Sequence, residues 1–367
     1  MSCIDSLATP LKKTRQQLLY LIYGNQDVYR REAKFSILTV LSQAKNGQLP
    51  AIRILTDRPQ DYAGWPVDTV LLDEATLTRW QGTNGYHHRR KACAIAAGMQ
   101  WAEKTLFVDT DTLFTDHPSR LLDAIGQDCS VMDRFEYDWK DVHLRSDYLK
   151  LARDLSAYSV TPDNGFKLYN SGLCGVTEND LDLFEESIRM IDQCTVGGFE
   201  IHTIEQIALS YAMRERRVVE ARKYVYHYFA EKRFFHAMQT YFFSQHGETF
   251  SQRLVDLCRD VQRVKPFPSA WQRLKIKWKL RNQSGALRKV GRDLLYGSAA
   301  PDDPYYSACR HEWWECASRE ILRWDESRQK KLLSQSRWPK QLPRPDKPED
   351  EKVIMRYLKK RVFTRAD

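Results

Sequence analysis

Asp109 and Asp111 stand one residue apart where an apolar run ends, in Leu106-Phe107-Val108-Asp109-Thr110-Asp111-Thr112-Leu113-Phe114. Two carboxylates on a turn after a hydrophobic strand suit a hard divalent cation. Mg²⁺ and Mn²⁺ take one or two carboxylates and complete their shell with water and phosphate oxygens. Asp also favours turns for its own sake, so spacing alone does not separate a cation site from a structural turn. Upstream, Arg89, Arg90 and Lys91, next to His87 and His88, offer cations for an anionic ligand; the same run would serve as a solvated helix start. His236 and His246 lack a partner at ligand spacing, and no base near Cys174 argues for a thiolate nucleophile. The aromatic stretch Tyr224 to Phe243 could stack on sugar rings or fill a core.

These residues need a frame. Leu18 to Tyr23 reads as a buried strand closed by Gly24-Asn25, and Arg30 to Asn46 as a helix with Phe35, Leu38 and Leu41 on one stripe. Ile52 to Thr56 and Thr69 to Leu72 are further strands. His87 to Glu103 reads as a helix whose Ala92, Ala94, Ala96, Ala97 and Gly98 allow close packing, and Thr105 to Val108 is a fourth strand running into Asp109. Strands alternating with helices predict a mostly parallel sheet with helices on both faces, and such sheets bind ligands beyond the carboxyl ends of their strands. Farther on, Cys129 to Met132 is a strand and Asp133 to Thr161 a polar, aromatic insertion. Phe166 to Val176 is a strand carrying Asn170-Ser171-Gly172. Leu181 to Gln193 and His202 to Arg214 are amphipathic helices, and Val218 to Phe229 is a last strand holding His227.

Composition narrows the class. A chain of 367 residues with 42% hydrophobic and 12% aromatic content buries a full core and is not disordered. No stretch approaches the roughly 20 apolar residues of a membrane span, and Met1 to Arg15 lacks the apolar segment of a signal peptide. The eight cysteines are scattered without a Cys-x-x-Cys pair, which suits reduced thiols in a cytoplasm. From 251 to 300, 12 Lys and Arg stand against 3 Asp and Glu; that excess of nine equals the net +9 of the whole chain. A near-neutral domain over 1–250 and a basic, mostly helical extension over 251–367 follow. Within the extension Trp271, Leu274, Ile276, Trp278 and Leu280 interleave with Arg273, Lys275, Lys277, Lys279 and Arg281. The alternation fits a strand, while Trp271, Leu274 and Trp278 fit a helix; either way a basic aromatic surface results, suited to an anionic membrane face.

Lys91, the Asp109-Thr110-Asp111 segment and Asn170-Ser171-Gly172 together resemble the GT-A glycosyltransferases, over roughly residues 18 to 235. The likeness is to the glycogenin-like group that includes bacterial lipopolysaccharide glucosyl- and galactosyltransferases. It implies a metal-dependent hexosyltransferase that uses Mn²⁺ or Mg²⁺. Its partners would be a nucleotide-sugar donor and a glycan, lipid-linked or lipopolysaccharide-type acceptor. By the same likeness Asp109 would contact ribose and metal, Asp111 would bind the metal, and His227 would complete the metal site. Lys91 and Lys232 would face the diphosphate, Asn170, Ser171 and Gly172 would line the sugar and acceptor pocket, and Glu205 would lie near the reacting carbon as acid or base. Where the group shows His-x-x-Gly-x-x-Lys-Pro-Trp, this chain reads His227-Tyr228-Phe229-Ala230-Glu231-Lys232-Arg233-Phe234.

Two rival readings remain. A haloacid-dehalogenase-type phosphatase also uses Asp-x-Asp after a strand, but there a Thr or Val stands two residues beyond the second Asp, where this chain has Leu113. A non-enzymatic nucleic-acid-binding protein would explain the basic block 251–300, although no nucleic-acid-binding fold signature accompanies it.

Overall fold

The computed structural model describes residues 7, 11–44, 47–156, 166–199, 201–299, 303–334 and 338–363, residue 147 by its backbone alone. Cys3, the last two residues of the expected 30–46 helix and the end of the expected 133–161 insertion lie outside them. The chain divides into two units: Met1–Phe229 with Glu248–Arg259, and Ala230–Gly247 with Asp260–Asp367.

In the first unit β1 (Thr14–Ile22) lies inside a seven-stranded sheet. Its neighbours are the parallel strands β2 (Ala51–Thr56) and β4 (Ala102–Val108), with Leu18 opposite both Ile52 and Leu106. Because both faces are covered, the strand reads as an unbroken apolar run. The pleat sends alternate side chains to opposite layers. Tyr20 reaches helix α1 (Asp27–Leu41), its hydroxyl 3.0 Å from Ser36 Oγ. Leu19 faces the other layer. There β3 (Asp68–Leu71), α2 (Glu74–Gln81) and α3 (Arg89–Met99) lead into β4. A Cβ on Gly98 would fall 2.4 Å from Leu19 Cδ2, so the small residues of α3 do permit the close packing expected of them.

After β5 (Thr112–Phe114) and the short α4 (Ser119–Leu122), β6 (Cys129–Asp138) runs into α5 (Trp139–Val142) and α6 (Leu149–Ser156). Then follow β7 (Lys167–Thr177), α7 (Leu181–Cys194), α8 (Ile204–Ala212), β8 (Arg217–Glu220) and β9 (Val225–His227). The order in the sheet is β3-β2-β1-β4-β7-β6-β8, and among these strands β7 alone runs against the rest. α3, α7 and α8 pack in one hydrophobic layer with Leu19, Phe107 and Cys174. On the other face, α10 (Gln252–Leu257) lies beside α1, with Cys258 Sγ 3.5 Å from the Leu38 carbonyl. The chain is thus a mixed α/β protein on a mostly parallel sheet, as expected.

Some elements differ from expectation. The helix expected over 87–103 stops at Met99, because Ala102 and Lys104 pair with Thr14 and Gln16 of β1. The strand expected over 218–229 is two strands, β8 on the main sheet and β9 on β5, parted by a turn at Ala221–Lys223. The expected insertion opens as strand, with β6 continuing through Asp138.

The second unit is helical: α9 (Lys232–His246), α11 (Ala270–Lys279), α12 (Gly285–Ser298), α13 (Pro304–Ala308), α14 (Arg310–Leu322), α15 (Glu326–Leu333) and α16 (Pro348–Phe363). Val290, Leu294, Trp314, Ile321, Leu333, Ile354 and Leu358 form its core.

Candidate active site

β1 leads to β2 and β3 on one side, and the chain then returns to β4 on the other side. The carboxyl ends of β1 and β4 therefore flank a topological switch point, where open α/β sheets leave a crevice. Asp109 is the first residue past β4. Its amide donates to the Gly172 carbonyl at 2.8 Å, which carries the β4–β7 ladder one step beyond the strand. The small ladder of β5 with β9 sets Thr112 opposite His227, and the Tyr228 amide donates to the Asp111 carbonyl at 3.0 Å.

These two ladders bring three side chains together. One ligand atom each from Asp109, Asp111 and His227 lies within 4.8 Å of the others. His227 Nε2 is 3.2 Å from Asp111 Oδ2, and Nδ1 is 2.8 Å from Asp133 Oδ2. Burial works against charge on the imidazole, but the hydrogen bonds to Asp111 and Asp133 outweigh it and raise its pKa to about 9. The ring has room because residue 172 is glycine: a Cβ there would fall 2.1 Å from His227 Cε1.

Lys91, on the first turn of α3, closes the site from the sheet's other face. Its Nζ lies 2.9 Å from Asp109 Oδ2, 3.3 Å from Ser171 Oγ and 3.8 Å from Glu205 Oε1. Burial disfavours its charge, yet Asp109 and Glu205 together hold its pKa above the ordinary value. Glu205, on the first turn of α8, is buried rather than on the surface. Ser171 Oγ donates to it at 3.2 Å. Desolvation raises its pKa to about 7, opposed by Lys91 and reinforced by Asp109. Asn170 turns the other way along β7: its amide nitrogen donates to Glu136 at 3.0 Å and its Oδ1 accepts from the Gly172 amide at 2.9 Å.

The donor set fits a divalent cation. Two carboxylates and one imidazole suit Mn²⁺, and Mg²⁺ through the carboxylates. Asp133 holds the far nitrogen of the histidine as an outer-shell carboxylate does around metal ligands, which leaves Nε2 for the ion once its proton is lost.

Other expected residues fall elsewhere. Of the three cations considered at the start of α3, only Lys91 faces Asp109. Arg89 is buried in a two-point pair with Asp192, and Arg90 donates to the Leu77 carbonyl and Gln81. Lys232 opens α9 in the second unit, and its expected role at the diphosphate is neither supported nor excluded by that position. The carboxylate pair was expected on an exposed edge; Asp109 is half-buried, but Asp111 is 3% exposed because β9 covers it. Burial raises the pKa of Cys174, in keeping with an inert thiol. Sequence reasoning missed Asp133 and the Glu136–Gln206 pair, in which Gln206 Nε2 donates to Glu136 at 2.8 Å. Asp133 immediately follows the expected Cys129–Met132 strand, so the strand-end rule that singled out Asp109 applies to it as well.

No protein-family model and no curated protein matches this chain. Among solved structures, it is similar to glycosyltransferases. The apo bifunctional glycosyltransferase WbbM superposes with a TM-score of 0.39 and 13% identity over 59% of this chain, which spans only 40% of that protein. The galactosyltransferase LgtC in complex with donor and acceptor sugar analogues gives 0.36 and 12%, over 70% of this chain and 98% of that one. Apo mouse xyloside xylosyltransferase 1 gives 0.39 and 12%, over 56% and 84%.

Proposed function

We propose that this chain is a metal-dependent glycosyltransferase that moves a hexose from a nucleotide-sugar donor to a glycan, lipid-linked or lipopolysaccharide-type acceptor. One observation carries the reading: Asp109, Asp111 and His227 converge at the carboxyl edge of β4, with the Lys91 ammonium 2.9 Å from Asp109. In such a transfer the bond between the anomeric carbon and the diphosphate oxygen breaks, a bond to an acceptor hydroxyl oxygen forms, and the hydroxyl proton leaves. The departing diphosphate is a poor leaving group until its charge is met.

Asp109, Asp111 and His227 would hold Mn²⁺ or Mg²⁺, which supplies that charge when bound. Asp109 would also touch the ribose. Lys91 adds a fixed cation and orients Asp109. Ser171 and Gly172 would line the sugar pocket, and Asn170, tied to Glu136 and the Gly172 amide, would line its acceptor side. Glu205, with a pKa of about 7, can gain or lose a proton at working pH and is assigned to proton transfer. The free, mostly buried thiols support a cytoplasmic setting. A phosphatase of the Asp-x-Asp type calls for a later acidic pair; here the residue that joins Asp109 and Asp111 is His227.

The test is a panel of sugar nucleotides incubated with Mn²⁺ or with chelator. Hydrolysis or transfer of one donor that needs metal supports the reading. Equal turnover in chelator, or phosphate release from generic phosphoesters with no sugar nucleotide consumed, removes it.

A further inference from the structure

We propose that the second unit carries a saccharide site of its own, a cleft between α9, α14 and α16 that takes an acidic sugar bearing a phosphate or a carboxylate. All the residues that line it belong to the second unit. Its volume is about 630 Å³, within the range of small-ligand sites and more than a lone ion fills. α9 builds one wall. Phe234, Phe235, Met238, Phe242 and Phe243 are buried on one side of that helix. Arg233, His236, Ala237, Thr240, Tyr241 and Ser244 follow the helical spacing along another side and line the cleft. The aromatic stretch that sequence offers to a core or to sugar rings therefore divides: its phenylalanines enter the core, and Tyr241 faces the cleft.

The rest of the lining is charged. Glu315 of α14 is 3% exposed, yet it lies 3.2 Å from Arg233 Nη1 and 3.1 Å from Arg361 Nε. Its Oε2 accepts from the Tyr357 hydroxyl at 2.9 Å and from Ser318 Oγ at 3.3 Å, and Arg319 stands 3.6 Å from Oε1. Burial opposes charge on Glu315, but Tyr357, Arg233 and Arg361 outweigh it and hold the pKa below the ordinary value. One buried carboxylate thus gathers three guanidiniums. Each guanidinium has five donors, so a single carboxylate does not exhaust Arg233 and Arg361, which flank the cleft. Glu312 also lines it, but burial pushes that carboxyl above its ordinary value and weakens its hold on the arginines. Positive charge stays in excess, and anchored guanidiniums match the forked oxygens of a carboxylate or phosphate. Tyr241 and Tyr357 add rings and, with Thr240 and Ser244, hydroxyl groups. That mixture suits the apolar faces and hydroxyls of a sugar better than it suits a bare ion.

The readout is binding, so the proposal stands or falls apart from the transferase reading. Glucose 6-phosphate, glucuronic acid, glucose and inorganic phosphate are titrated by calorimetry onto the full chain in chelator. At least one acidic sugar should bind, and the one that binds more tightly names the anion. Glucose and inorganic phosphate should each bind about tenfold or more weakly than that sugar, for want of one half of the contacts. Ala237→Phe fills the cleft and removes no charge, so it should abolish binding and leave the melting curve unchanged. Ser244→Trp, at an exposed position, fills the same cleft if Ala237→Phe melts early. Arg361→Gln leaves Glu315 with Arg233, Arg319 and Tyr357, and should weaken the acidic sugar about tenfold. Absence of saturable binding of both acidic sugars up to about 10 mM overturns the proposal. So does inorganic phosphate or glucose that binds as tightly as the acidic sugar, or wild-type affinity in a folded cleft-filling variant, which would place the ligand elsewhere.

Discussion

The Cε1 of His227 occupies space that a side chain at residue 172 would need: a Cβ on Gly172 would fall 2.1 Å from it. The glycine of Asn170-Ser171-Gly172 thus acts through absence, by letting an imidazole from β9 come close to the backbone of β7. Gly172→Ala should push the ring off Asp111 and lower Mn²⁺ affinity about 10- to 100-fold, the usual cost of disturbing a metal ligand's support. Calorimetric titration of the variant with Mn²⁺ checks it. Unchanged affinity would show that His227 is no ligand.

Asp111→Asn keeps the shape of the side chain and removes its charge. Activity should drop by about 10³, roughly 4 kcal/mol of transition-state stabilisation. The residue is buried, so a melting curve must accompany the assay; a folded variant with wild-type kcat would sink the metal reading.

The pH dependence of the metal-free protein follows from His227. Its pKa in the fold, about 9, is above the ordinary 6.5, because Asp111 and Asp133 prefer it charged. A group raised in the folded state contributes stability that is full below the unfolded pKa and is lost as pH rises through the folded one. Stability in chelator should therefore decline between about pH 6.5 and 9, by on the order of 3 kcal/mol. His227→Gln should flatten that part of a urea-midpoint profile. Mn²⁺ affinity should climb over the same range, since the ion must displace the proton.

Glu205→Gln tests the assignment of proton transfer. The wild-type rate should show a limb near pH 7, the value to which burial raises the carboxyl. The variant should lose that limb and about 10² in kcat. If the limb persists and KM alone rises, Glu205 merely positions Lys91, and another group moves the proton.

The residues that could be read from sequence were those whose local pattern agreed with their final environment. β1, β2 and β4 are buried on both faces and appear as apolar runs; Asp109 and Asp111 stand where such a run stops. α2 was missed although its cap was in view: Asp73 accepts from the Thr76 amide at 2.8 Å, and Gly82 ends the helix with a φ of 73°. Asp133 was hidden by its surroundings. Past Met132 the ladder of β6 with β7 is irregular, and Arg134 and Glu136 alternate with aromatics at a half-exposed edge, a pattern that resembles an insertion more than a strand. The division of labour along Arg89, Arg90 and Lys91 is invisible locally, because Asp192 and Asp109, which distinguish Arg89 from Lys91, come from distant parts of the chain.

The pairing of Thr112 with His227 joins positions more than a hundred residues apart. If His227 is the third ligand, it joins the two aspartates only once β9 has paired with β5, and an ion held there would favour the completed topology over partial ones. Free energy of binding then becomes free energy of folding. For this chain the abundance of divalent ions in its surroundings would then add to the stability of the finished fold, quite apart from any sugar it transfers.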